Sequence, residues 1–150
     1  MDNSNSVDKL NKLVEINNDR VEGYETAAKE MDNGELHSLF GKLAATSRNN
    51  LSELRAEVNR LGGEPTEGTK ISGKFFRAWM DVKAALSSDE RQTVLDSCEF
   101  GEDKALEVYE EVLEDTKDLT TEQVAMISKQ KSALKQDHDH VKALRDANNG

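Results

Sequence analysis

The chain has one cysteine, Cys98, and one proline, Pro65, among its 150 residues. A lone cysteine excludes an internal disulfide and suits a reducing compartment. A lone proline leaves almost every position free to be helical. Aromatic residues are only 5% of the chain, and helix formers dominate, which argues for an all-α protein. No apolar run is long enough to span a bilayer. The opening MDNSNSVDKL lacks an apolar core of signal-peptide length. Cationic residues are also short, at 20 against 30 acidic ones, giving a net charge of −10. That balance disfavours nucleic-acid and anionic-membrane surfaces, which need clustered Lys and Arg. The expectation is one cytoplasmic domain over residues 1–150.

What is present is helical periodicity. In residues 94–113 Leu95, Cys98, Glu102, Ala105, Tyr109 and Val112 recur at three- and four-residue steps. Glu102 sits in the middle of this apolar stripe, and Glu99 lies one turn before it. A buried carboxylate is costly unless it is paired or ligated. Residues 1–6 read as a polar tail with Ser6 as an N-cap, and a first long helix runs from about Val7 to Met31. Its stripe is Leu10, Val14, Asn17, Val21, Tyr24, Ala28 and Met31, with Leu13 and Ala27 broadening it. A second runs from about Glu35 to Leu61, with Leu36, Phe40, Leu43, Ser47, Asn50 or Leu51, Leu54 and Val58 inward, and Gly62 and Gly63 end it.

The segment 62–87 is too long for a hairpin turn and suggests a crossover along the bundle. A short helix is expected within it, at about 73–86, carrying Phe75, Phe76 and Trp79. Ser87 to Glu90 and Thr120 to Gln123 have the form of capping boxes. They open the third long helix, to about Glu114, and the last, to about Ala147. The stripe of the last helix reads Val124, Ile127, Lys131, Leu134, His138 and Val141, with Gln130 and Asp137 flanking it. The fold expected is an antiparallel four-helix bundle.

Polar residues cluster near mid-helix: Asn17; Ser47, Arg48, Asn50 and Glu53; Glu99 and Glu102; Gln130. Di-iron bundles place a Glu on each of two helices and a Glu-x-x-His on each of the other two. No Glu-x-x-His occurs in this sequence. There is also no phosphate-binding glycine loop, nucleophile elbow, CxxC or His-Glu-x-x-His.

Several motifs together carry a family resemblance over almost the whole chain. They include Gly23-Tyr24 with Ala27-Ala28, Arg48 with Glu53-Leu54, and Leu61-Gly62-Gly63-Glu64-Pro65. Gly73 with Arg77-Ala78-Trp79, Cys98-Glu99-Phe100-Gly101-Glu102-Asp103 with Tyr109, and Gln130, His138 and Leu144-Arg145-Asp146 complete them. The chain resembles an uncharacterised bacterial family, a domain of unknown function, grouped with the ferritin-like, rubrerythrin-related superfamily. The resemblance implies a ferritin-like bundle with a crossover between the second and third helices, and no activity. Glu99-x-x-Glu102 is similar to the Glu-x-x-Glu of rubrerythrin-like enzymes. Their other ligands do not carry over, because Asn17, Asn50 and Gln130 stand where carboxylates would be.

Two readings follow. In the first, Glu99 and Glu102 belong to a buried ion-pair network with Arg48 or Lys131. The protein is then non-enzymatic, with a structural or protein-interaction role, no cofactor and a polar core of Asn17, Ser47, Arg48 and Asn50. In the alternative it is a divergent metal-binding or redox protein, holding iron or manganese through Glu53, Glu99, Glu102, Gln130 and His138. His138 also reads as a helix-end residue, since its neighbours Asp137, Asp139 and His140 suit a solvated face; the run cannot chelate together, because i and i+2 diverge by about 200° around a helix. The crossover aromatics leave room for a homodimer; no protein partner is specified.

Overall fold

A computed structural model describes residues 3–30, 34–66 and 91–149. Four helices account for nearly all of them: α1 (Ser4–Glu30), α2 (Gly34–Arg60), α3 (Arg91–Glu114) and α4 (Thr121–Asn149). No strand occurs among the described residues, and none of their helices is long and apolar enough to cross a membrane. The expected short helix at 73–86, its aromatic cluster and the Ser87–Glu90 capping box lie outside the described residues.

The helix ends follow from local chemistry. At the end of α2, Gly63 N–H donates to the Val58 carbonyl and Gly62 N–H to that of Asn59, both at 3.0 Å. This is a Schellman cap, and it needs the φ of +83° that Gly62 adopts. Thr120 and Gln123 form the expected reciprocal box. Thr120 N–H donates to Gln123 Oε1 at 2.9 Å, and Gln123 N–H donates to Thr120 Oγ1 at 3.1 Å. Ser6, expected as a cap, lies inside α1 instead, which begins at Ser4. Its hydroxyl donates to the Asp118 carbonyl in the α3–α4 turn. Residues 4–6 are therefore helical, with Ser6 held by a tertiary acceptor.

Cross-helix contacts set the directions. Residue numbers rise along α1 as they fall along α2, from Asn18–Arg55 to Glu25–Arg48 to Ala28–His37. The same inverse order relates α1 to α3, through Asn17–Tyr109 and Arg20–Glu102. It relates α3 to α4 through Tyr109–Gln130 and Asp103–His138. Hence α2 and α3 are parallel, and their connection joins opposite ends of the bundle. Its first residues lie along α1: Asn11 Nδ2 donates to the Glu64 carbonyl at 3.0 Å, and Asn11 Oδ1 accepts from Thr66 N–H at 2.9 Å.

Two apolar clusters fill the interior. One gathers Leu10, Leu13, Leu54, Val58, Val112 and Ile127; the other gathers Tyr24, Phe40, Leu43, Leu95, Cys98 and Val141. Burying each large aliphatic side chain contributes about 1.5–3 kcal/mol. The Tyr24 and Phe40 rings stack at a centroid distance of 5.8 Å. Between these clusters the interior is polar.

Candidate functional site

Mid-bundle, each helix sends one polar side chain to a common point. Arg20 on α1 is 0% exposed and Glu102 on α3 is 1% exposed. The guanidinium grips the carboxylate through two hydrogen bonds, Nε to Oε2 at 2.9 Å and Nη2 to Oε1 at 2.6 Å. Nη2 also donates to Asp137 Oδ2 on α4 at 3.3 Å, and Nη1 donates to Ser47 Oγ on α2. The Arg20 side chain lies over the Tyr24 ring, 5.5 Å from its centroid. A planar fork of donors suits this arrangement, because it holds one carboxylate at two points and keeps donors for others.

The electrostatics are tightly coupled. Burial alone would lower the Arg20 guanidinium, but the adjacent Glu102 overrides it and the net direction is upward. Burial pushes the Glu102 carboxyl up, Arg20 opposes that, and Asp137 adds to the rise. Both shifts express one situation: two carboxylates share a single guanidinium in a buried interior. The bidentate geometry keeps Arg20 charged. Burial, with Glu102 next, also pushes the Tyr24 hydroxyl and the Cys98 thiol well up, so both stay protonated.

A second polar layer sits next to the first. Asn17 Nδ2 donates to Tyr109 Oη at 2.9 Å, and the Tyr109 hydroxyl donates to Gln130 Oε1 at 2.8 Å. Gln130 Nε2 donates to the Asn50 carbonyl at 3.4 Å, and Asn50 Nδ2 donates to Asn17 Oδ1 at 3.2 Å. The hydrogen bonds therefore run in a closed ring through α1, α3, α4 and α2. Such a ring satisfies donors that would otherwise be buried without partners.

Glu102, Asn17, Ser47, Asn50 and Gln130 are thus interior residues. Arg48 is not. It is exposed and pairs with Glu25 across the α1–α2 surface, so it neither reaches Glu102 nor belongs to the polar core. Lys131 is likewise peripheral, 3.9 Å from Glu110. The α4 stripe departs from the expected one at two positions: Gln130 and Asp137 are buried, rather than Lys131 and His138, while Ile127, Leu134 and Val141 are buried as expected. Glu53 is an exposed residue that accepts from Gln130 Nε2 at 3.2 Å.

Glu99 does not share the interior with Glu102. It lies on the outer α3–α4 seam, paired with Arg145. His138 is there too, its Nε2 2.6 Å from Asp103 Oδ1 and 4.0 Å from Glu99 Oε1. Sequence reasoning missed Arg20 and Asp137. Spacing offered each of them together with a neighbour: Arg20 falls three after Asn17 and four before Tyr24, as Val21 falls four and three, and Asp137 falls three after Leu134 and four before Val141, as His138 falls four and three.

Residues 5–115 match the domain of unknown function DUF2383. The chain belongs to this family. No curated protein matches the chain. The span matched by DUF2383 includes Arg20, Ser47 and Glu102, so three of the four arms of the charged layer lie within the family domain. Asp137 and the outer-seam His138 lie beyond it.

Proposed function

We propose that this DUF2383 protein is a non-enzymatic, ferritin-like bundle with a structural or protein-interaction role, in which Arg20 supplies the cation at the bundle centre. The observation that carries this reading is the guanidinium seated between Glu102 and Asp137, with Ser47 as its third acceptor. Bundles of the di-iron type gather several carboxylates and imidazoles at that level. Here the equivalent interior offers Asn17, Ser47, Asn50 and Gln130, and the guanidinium fills the space between the two carboxylates. That donor set does not fit a di-iron or di-manganese centre. Cys98, Tyr24 and Tyr109 are held in protonated, unreactive forms.

The charged layer fixes register. The charged members come from α1, α3 and α4, so any of these three sliding by a turn would strand a buried charge, which typically costs about 3–5 kcal/mol. The bundle is then a rigid acidic body suited to the cytoplasm and to a protein partner or a second copy of itself. Its charge of −10 keeps nucleic acid off.

Metal analysis of protein purified without chelator tests this reading. The expected result is no iron or manganese whose retention depends on Glu102. Stoichiometric metal that disappears in Glu102→Gln would sink it.

A further inference from the structure

The outer seam between α3 and α4 carries a second cluster, separate from the central layer. Glu99 and Asp103 are one turn apart on α3, and His138 faces them from α4. One ligand atom from each lies within 4.8 Å of the other two. Glu99 and His138 side chains are each 13% exposed, whereas Asp103 is 52% exposed. The cluster is therefore walled on the bundle side and open on the other.

We propose that Glu99, Asp103 and His138 form a mononuclear site for a first-row divalent transition metal, pinning α3 to α4. An imidazole with two carboxylates is a donor set such ions accept, and the exposed Asp103 side leaves coordination positions for water. The surroundings are organised for the purpose. His138 Nδ1 lies 3.1 Å from Asp139 Oδ1, a carboxylate that fixes the Nδ1 proton and turns Nε2 toward Glu99 and Asp103. Metal-bound histidines almost always have such a partner on the other ring nitrogen. Asp139 is itself held by Lys135 Nζ at 2.7 Å. Arg145 engages Glu99 at Oε2, so the Oε1 that faces His138 remains available.

Without metal, the short Nε2–Asp103 contact is a hydrogen bond. A bound ion would take the place of that hydrogen bond at Nε2. The site goes beyond the reading of the bundle centre and stands independently of it, on different residues and on the outside of one helix pair.

The test is titration of the chelator-stripped full chain with Co2+, followed by its visible absorption and by calorimetry, with Zn2+ as competitor. One equivalent of Co2+ should bind and be displaced by Zn2+. His138→Ala should weaken binding by more than about 100-fold, and Asp139→Asn by about 10–100-fold, the usual loss for an outer-shell partner. His140→Ala and Glu102→Gln should leave it unchanged. The melting temperature should rise with Zn2+ in the wild type and not in His138→Ala, whose fold is checked by circular dichroism; His138→Gln serves as a second variant. No binding to the wild type, or binding that survives loss of His138, overturns the proposal and leaves the reading of the centre intact. Binding that vanishes with Glu102→Gln but not with His138→Ala overturns both.

Discussion

Replacing Arg20 by methionine keeps much of the side chain's length and removes its charge. Glu102 and Asp137 would then face each other in the interior with no cation, and Ser47 would lose its donor. Breaking a buried pair in this way costs about 3–5 kcal/mol. Whole domains are stable by only about 5–15 kcal/mol, so the variant should be badly destabilised at neutral pH. The loss should also depend on pH, with a sign that can be worked out. Glu102 already has its carboxyl above the ordinary range, because burial outweighs Arg20. Removing Arg20 removes the opposing influence, so the folded-state value rises further. Between the ordinary carboxylate range and that raised value, the folded chain holds a proton that the unfolded chain has lost. Stability therefore falls as pH rises through this window, and each unit of further rise is worth 1.36 kcal/mol. The deficit of Arg20→Met should be largest at neutral pH and shrink on acidification. Urea unfolding of both proteins, followed by circular dichroism across that range, measures it. A variant within about 0.5 kcal/mol of wild type at neutral pH would refute the reasoning, as would a deficit that grows on acidification.

Three further outcomes follow from the same structure. Replacing Arg20, Glu102 and Asp137 together by apolar residues of similar volume should recover the loss and even stabilise by about 1–4 kcal/mol, since no charge is left stranded; denaturant midpoints check it. Tyr109→Phe removes the donor to Gln130 and the acceptor of Asn17, and should cost about 1–3 kcal/mol by the same assay. Gly63→Ala would place a methyl 2.8 Å from the Val7 side chain and should lower the melting temperature, by overpacking worth about 1–3 kcal/mol.

The apolar stripes of α2 and α3 were legible because three- and four-residue spacing and the cap at Gly62 agree with each other. So was Glu102, whose position between Cys98 and Ala105 makes its burial a matter of geometry. Arg20 was not, because it ends the run Asn17-Asn18-Asp19-Arg20, which has the composition of a solvated surface. The structure buries all four. Composition says where a residue is usually found, while the helical repeat says where it points, and here the two disagree. On α4 the spacing alone does not choose, because Asp137 and His138 each lie three or four residues from Leu134 and from Val141. The packing of α3 against α4 decides it, with Asp137 inside on Arg20 and His138 on the outer seam. Arg48 was favoured because it neighbours Ser47, but adjacent helical positions point about 100° apart, and Arg48 therefore points to solvent. The Glu99–Asp103–His138 cluster required knowing how α3 and α4 face each other, which spacing within one helix does not contain.

We propose an arginine, and not a metal, as the cation of the bundle centre. Anomalous scattering from crystals grown with Fe2+ and with Mn2+ tests it most directly. Continuous guanidinium density from Arg20 lying flat against Glu102 is expected, with no anomalous peak between Glu102 and Asp137. A peak bridging those two carboxylates, with Arg20 swung out of the interior, would contradict it.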